Sequence, residues 1–183
     1  ITAREITVTA DAGQTKVYGE DDPTPYTYGI TEGSLADGDT FTGALTRDAG
    51  ENVGLYAITQ GTLTVDDGNS GDNYDITYVG DDFEITVKEV TIEGTRAYDG
   101  TNVVGNAIFS IIGLVGEEDL TLTGSGTVAD ANVGVDKAVT LGTLELEDGV
   151  TGVASNYTLV SGTATITARE ITVTADAGQT KVY

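Results

Sequence analysis

Residues 1–18 and residues 166–183 spell the same eighteen letters, ITAREITVTADAGQTKVY. Whatever fold the chain adopts must accept that segment twice, 165 positions apart. Selection on function tolerates drift at surface positions, so letter-for-letter identity points to recent duplication or to continuing exchange between copies. The expectation is a long array of 165-residue units, with one unit and the beginning of the next in view. A start at Ile1, with neither initiator Met nor signal segment, and a stop at Tyr183 inside the next copy fit a window cut from such an array.

A weaker echo divides the unit. Asn52-Val53-Gly54 returns as Asn132-Val133-Gly134, Gly61-Thr62-Leu63 as Gly142-Thr143-Leu144, Asp66-Asp67-Gly68 as Glu147-Asp148-Gly149, and Asn73-Tyr74 as Asn156-Tyr157. Lys16-Val17-Tyr18 resembles Arg96-Ala97-Tyr98. The offsets run from 80 to 83 and keep their order, so the unit holds two related modules, about 6–86 and 90–166. Modules of this size fold alone with little stability to spare.

The local pattern is that of strands. Alternation is plain in Ile6–Ala10, Phe83–Val87, Leu120–Thr123, Leu144–Glu147 and Ala164–Thr167, and period 2 marks a strand with one buried face. Thr is the commonest residue, at 31, and suits a pleated surface. Acid–Gly turns separate the runs, at Asp37-Gly38, Asp67-Gly68, Asp99-Gly100 and Asp148-Gly149. No segment has a helical face; a short helical turn is expected at most near Ser34–Asp37 or Gly116–Asp119. The reading is all-β, six to eight short strands per module: two small immunoglobulin-like β-sandwiches, with a β-grasp-like sheet as the alternative. Module limits are 1–87 and 88–168, with 169–183 opening the next copy. The joints at Arg4-Glu5, Lys88-Glu89 and Arg169-Glu170 contain no Gly, Pro or Ser, and alternation continues through them. The modules are therefore expected to run end to end as a rod.

Composition excludes much. Cys, His, Met and Trp are absent, which removes thiolate and imidazole metal centres, Ser–His and Cys–His catalysis, and disulfides. A net charge of -22 opposes nucleic acid and anionic membrane. Many carboxylates are present, but no Trp or aromatic cleft accompanies them, so the chain is not read as a glycosidase or any other enzyme.

The motifs resemble tandem repeats of large bacterial surface proteins. Val17-Tyr18-Gly19-Glu20-Asp21-Asp22-Pro23, Leu35–Asp39, Asn52–Ile58 and Asn73–Ile76 resemble the MBG domain of the YGX type. Tyr98-Asp99-Gly100, Asn132–Gly134 and Asn156–Leu159 resemble the YDG domain. The resemblance implies stalk modules of secreted adhesins or surface filaments, at the bacterial cell surface, with no enzyme activity and no ligand residues to carry over. The expected partners are adjacent copies of the repeat, in the same or neighbouring chains, with any host ligand outside this segment. An adhesive module gripping a glycan or protein, and a filament subunit joined by strand pairing, are the alternatives.

Three further features bear on function. Asp21, Asp22, Asp66, Asp67 and Asp72 stand in acidic turns and offer the oxygen donors that calcium takes; no EF-hand spacing is present, and no cofactor is required by this reading. Tyr18, Tyr74, Tyr98 and Tyr157 recur at matching positions, which suits shared core packing, while the unmatched Tyr26, Tyr28 and Tyr78 suit carbohydrate stacking. A Lys–Asp or Lys–Asn isopeptide crosslink would have to use Lys16, Lys88, Lys137 or Lys181.

Overall fold

The computed structural model describes residues 2–182; Ile1 and Tyr183, the outer limits of the expected segments, lie outside the described residues. The chain divides into two compact units. The first comprises residues 1–88 with 153–158, and the second 89–152 with 159–183.

The first unit holds β1 (Arg4–Ala10), β2 (Thr15–Val17), β3 (Tyr28–Glu32), β4 (Thr40–Thr42), β5 (Thr46–Arg47), β6 (Gly54–Thr59), β7 (Thr64–Asp66), β8 (Tyr74–Val79) and β9 (Asp82–Thr86). They form sheets of order β3-β1-β8 and β2-β9-β6-β5 and a ribbon β4-β7. β1 lies parallel to β8, from Arg4 opposite Tyr74 to Thr9 opposite Val79, and β2 lies parallel to β9, with Lys16 opposite Ile85. The first and last segments of the unit are thus partners in both sheets. Alternation does what the sequence implies: Ile6, Val8 and Ala10 are buried, while the Thr9 hydroxyl on the opposite face bonds that of Thr31 at 2.9 Å. Phe83 and Ile85 of β9 are fully buried, and Tyr26 meets Phe83 edge-on at 5.5 Å.

Only Val87 separates β9 from β10 (Lys88–Ala97). The second unit continues with β11 (Val103–Gly105), β12 (Phe109–Ile112), β13 (Leu120–Thr123), β14 (Ser125–Thr127), β15 (Gly134–Ala138), β16 (Glu145–Asp148) and β17 (Tyr157–Thr167), whose first two residues belong to the first unit. The main sheet has the order β12-β10-β17-β15, beside ribbons β11-β14 and β13-β16. β17 packs Gly162 against Ile92, and farther along its Thr167 carbonyl accepts from the Tyr98 N–H at 2.8 Å. Contacts that advance together along both strands mean that β10 and β17 run parallel. Where the first unit breaks its opening run with a turn after Ala10, the second uses one ten-residue strand. Ile92, Ala164 and Ile166 from the main sheet meet Val104, Val128, Val139 and Leu144 in one core, two apolar layers facing each other as in a sandwich.

The fold is all-β, with nine and eight strands among the described residues. The first unit splits, as β1/β2 and β8/β9, the two runs that the second keeps whole as β10 and β17, while β11 has no counterpart strand in the first unit. Helical turns fall at Asn106–Ile108 and Ala154–Asn156, and no helix forms at 34–37 or 116–119. At the first of those places the Tyr74 hydroxyl accepts from the Ala36 N–H and donates to Asp39, holding the loop open. At the second, Asp119 is tied to Thr151.

The echoed Gly-Thr-Leu motif closes the same turn in each unit. Thr62 donates its N–H to the Ala44 carbonyl at 3.0 Å, and its hydroxyl accepts from the Ala44 N–H at 3.2 Å. Thr143 does the same with Ser125, at 3.0 and 3.1 Å. Leu63 and Leu144 follow into the two cores. Gly43 and Gly124 face those threonines at φ near +80°, and a Cβ on either would collide with the threonine carbonyl. Gly124→Ala is expected to cost the second unit about 2 kcal/mol or more. Val135→Thr, at a solvent-facing site, is expected to stay within about 0.5 kcal/mol; urea unfolding monitored by tyrosine fluorescence checks both.

Candidate functional site

The densest cluster of charged side chains lies in the first unit. The turn after Tyr18 carries Asp22 toward Lys16 of β2 and Arg47 of β5. Lys16 Nζ sits 2.7 Å from Asp22 and 2.5 Å from Glu51, with its side chain only 4% exposed. Arg47, 6% exposed, reaches Asp22 with Nε at 2.8 Å and Nη2 at 3.0 Å, and Glu51 with Nη2 at 2.6 Å. Its Nη1 donates to the carbonyls of Asp48 and Gly50. The guanidinium lies over the rings of Tyr56 and Phe83, about 5 Å from each centroid. The Tyr26 hydroxyl donates to Asp22 at 2.5 Å.

This arrangement fixes the protonation states. The Arg47 hydrogen bonds outweigh burial and hold the Asp22 carboxyl far below the ordinary range. Burial pushes Lys16 down, but its hydrogen bonds to Asp22 and Glu51 overcome that and raise it. The Glu51 carboxyl is lowered, chiefly by Lys16. An isopeptide bond would need a neutral Lys16 amine attacking a protonated Asp22 carboxyl, with loss of water. The network stabilises the opposite charge state of both groups, so proximity here makes an ion pair.

The acidic turns serve the backbone. Asp67 accepts N–H bonds from Asn69 and Gly71 at 2.8 Å and from Asn73 at 3.1 Å, and its carboxyl is lowered by these, Gly71 foremost. Asp119, lowered to about 2, is held mainly by the Thr151 hydroxyl and then by the Val150 and Thr151 N–H groups. Asp99 of the Tyr-Asp-Gly motif, also near 2, caps Thr101 and pairs with Arg96. Of the candidate calcium ligands, Asp21 is exposed, Asp22 belongs to the ion network, Asp66 pairs with Thr40 in the β4–β7 ribbon, and Asp67 and Asp72 share one loop. Among the described residues no group of three or more acidic side chains is gathered to hold a metal ion.

At the joints, Arg4 donates its N–H to the Asn73 carbonyl at 2.7 Å and its side chain to Ser34, while Glu5 pairs opposite Asp75. Lys88 and Glu89 open β10. Arg169 and Glu170 are exposed and belong to no strand. Tyr26 is buried, Tyr28 packs edge-on against Phe41, and the Tyr78 hydroxyl bonds the Ile58 carbonyl, so the three do not form one exposed platform. Of the four matched tyrosines, Tyr18, Tyr74 and Tyr157 are buried, whereas Tyr98 is 41% exposed.

Asn156 was missed by sequence reasoning as more than a repeat marker. It is completely buried within the first unit; its Oδ1 accepts from the Val53 N–H and its Nδ2 donates to Asn52 Oδ1, both at 2.9 Å. Tyr157 beside it meets Tyr18 edge-on at 5.3 Å. The signal was present as the paired echoes of Asn-Val-Gly and Asn-Tyr, without an indication that one echo would bind the other.

Compared with known families, residues 6–84 match the MBG domain (YGX type) and residues 81–166 match the YDG domain. The chain is a tandem of an MBG and a YDG domain, modules consistent with repeat domains of surface proteins. No curated protein and no solved structure matches it.

Asp22 and Glu51 titrate lower in the native state than when unfolded. Their contribution is complete above the unfolded carboxylate range near pH 4 and is lost as the pH falls toward the depressed native values. Lys16 is raised, so its contribution holds below about pH 10 and fades above its native value. Unfolding of the first unit is therefore expected to be pH-independent between these limits and to weaken on both sides. Asp22→Ala leaves two buried cations with only Glu51 and is expected to cost about 3 kcal/mol. Intact-mass spectrometry is expected to return the full sequence mass, with no water lost to a crosslink.

Proposed function

We propose that this chain is a structural spacer: one period of a stalk in a long extracellular adhesin or filament at the bacterial surface. The reading rests on the parallel pairing of first and last strands. In the second unit, β10 starts where the Leu159 end of the ladder lies and finishes beside Thr167, where β17 also finishes. Chain that enters at the start of β10 therefore leaves about 30 Å away, at roughly 3.3 Å per residue. Tension applied through the chain ends slides two parallel strands past each other and loads their hydrogen bonds together, rather than unzipping them singly. In the first unit the parallel β1–β8 and β2–β9 pairs join its first and last segments in the same way.

The other features accord with a passive, solvated module. Repeat stability is then close to a sum of units and neighbour terms, and length comes from copy number. The net charge of -22 keeps neighbouring fibres apart. Calcium is not needed, because the Asp22 and Asp67 oxygens already have cationic or N–H partners within the protein; midpoints of unfolding in calcium and in chelator are expected to coincide.

The test is single-molecule extension of the chain held by its two ends. Two discrete, high-force openings are expected, each releasing one module's length. Gradual lengthening at low force would defeat the spacer reading, as would tight binding of a glycan by the chain in an array screen, which would favour an adhesive module.

A further inference from the structure

The exposed Tyr98 leads to a second surface. Its groove is lined by Tyr98, Asn132, Val133, Ala168, Arg169 and Ile171, all in the second unit. Each of the first three has a counterpart in the first unit that is already in contact with a ligand segment. Tyr18 matches Tyr98, and Asn52-Val53 matches Asn132-Val133. There, Asn156 bonds Asn52 and the Val53 N–H, and Tyr157 packs its ring against Tyr18. Under that cover Tyr18 is 9% exposed, while Tyr98 is 41% and Val133 57% exposed. The occupant of the first seat, Asn156-Tyr157, itself has a sequence counterpart: Asn73-Tyr74.

A separate observation selects the same occupant. Ala168, Arg169 and Ile171 belong to the repeated eighteen residues and are identical to Ala3, Arg4 and Ile6. In the described copy, the Arg4 N–H donates to the Asn73 carbonyl at 2.7 Å and Arg4 lies opposite Tyr74 in the parallel ladder. A copy that uses 166–183 as its first eighteen residues must bring its own Asn73 to Arg169, at the rim of this groove. The Asn73 side chain is exposed, and the Tyr74 hydroxyl is anchored within its own unit by Asp39 at 2.5 Å.

We propose that the Tyr98–Val133–Arg169 groove is the docking seat for the Asn73-Tyr74 corner of a second copy of this repeat. Asn73 Oδ1 of that copy accepts from the Val133 N–H and its amide donates to Asn132, while Tyr74, buried in its own unit, fixes the corner that carries Asn73. The inference rests on the spacer reading only in taking adjacent copies as partners.

The experiment lengthens the chain by one further 165-residue period, so that 166–183 becomes the start of a complete copy. Amide exchange at Val133 is compared with that in the 183-residue chain, with Val53 as internal reference. Val133 is expected to slow about tenfold or more on addition of the second copy, and to revert when the second copy carries Asn73→Ala. Because the sequence has no Cys, Asn132→Cys in the first copy with Asn73→Cys in the second gives an unambiguous crosslink. Both sites are exposed, and the disulfide is expected under mild oxidation. Unchanged exchange at Val133, slowing that survives Asn73→Ala, or free thiols after oxidation would each overturn the proposal. So would protection of Val133 by added glycans in the single chain with none from the second copy. The extension experiment is independent of this seat, so failure here leaves the spacer reading standing.

Discussion

The parallel partnership between the first and last segments of each unit is the constraint on which the rest depends. Parallel strands cannot be joined by a tight hairpin, so all intervening chain must be spent crossing between them. In the first unit that chain supplies β3 to β7, and in the second β11 to β16. Those crossing strands provide the remaining sheet partners, and both cores form beneath them. The terminal strands are deeply buried: Ile6, Val8, Phe83 and Ile85 in one unit, Val90, Ile92, Ala164 and Ile166 in the other. A module closed in this way buries apolar side chains on the strands by which the chain enters and leaves it.

The two units solve one interior problem differently. Counting from the shared Gly43/Gly124 turn, Arg47 corresponds to Val128, and the Asn-Val-Gly echo places Ala131 where the first unit has Glu51. In the first unit, a buried guanidinium therefore requires Asp22 and Glu51, with Lys16 joining them. In the second, Val128 is a core residue and needs no counter-charge. Arg96, standing where Lys16 does, turns to Asp99 and the Thr101 carbonyl, and its Nε is left buried without a partner. Replacement of a buried ion network by apolar packing is often neutral or stabilising. The first unit uses the ion network and the second an apolar side chain at the position that the sequence echo matches to Arg47.

Much of this was legible in the sequence because strands report themselves locally. Ile6-Thr7-Val8-Thr9-Ala10 alternates in letters as it does in burial, and acid–Gly pairs turn where they stand. Which strand pairs with which is a non-local property, and the parallel match of Arg4 with Tyr74 leaves no trace in either segment alone. The acidic turns were legible as turns but not in their chemistry. Asp67 in its loop and Asp22 in its ion pairs have the same side chain, and only the surrounding donors distinguish them. The four matched tyrosines implied four buried rings. Tyr98 departs because its counterpart's cover is supplied by a segment distant in sequence.

The repeated eighteen residues make the same point within one chain. As residues 4–17 they form β1 and β2, with Ile6 and Val8 buried. As residues 169–182 they form no strand, and Ile171 and Val173 are 81% and 86% exposed. Identical letters have identical propensity, so the difference is entirely the presence of β3, β8 and β9 beside the first occurrence. Strand propensity in such a sequence is permission rather than instruction; the ladder forms when a partner edge completes it.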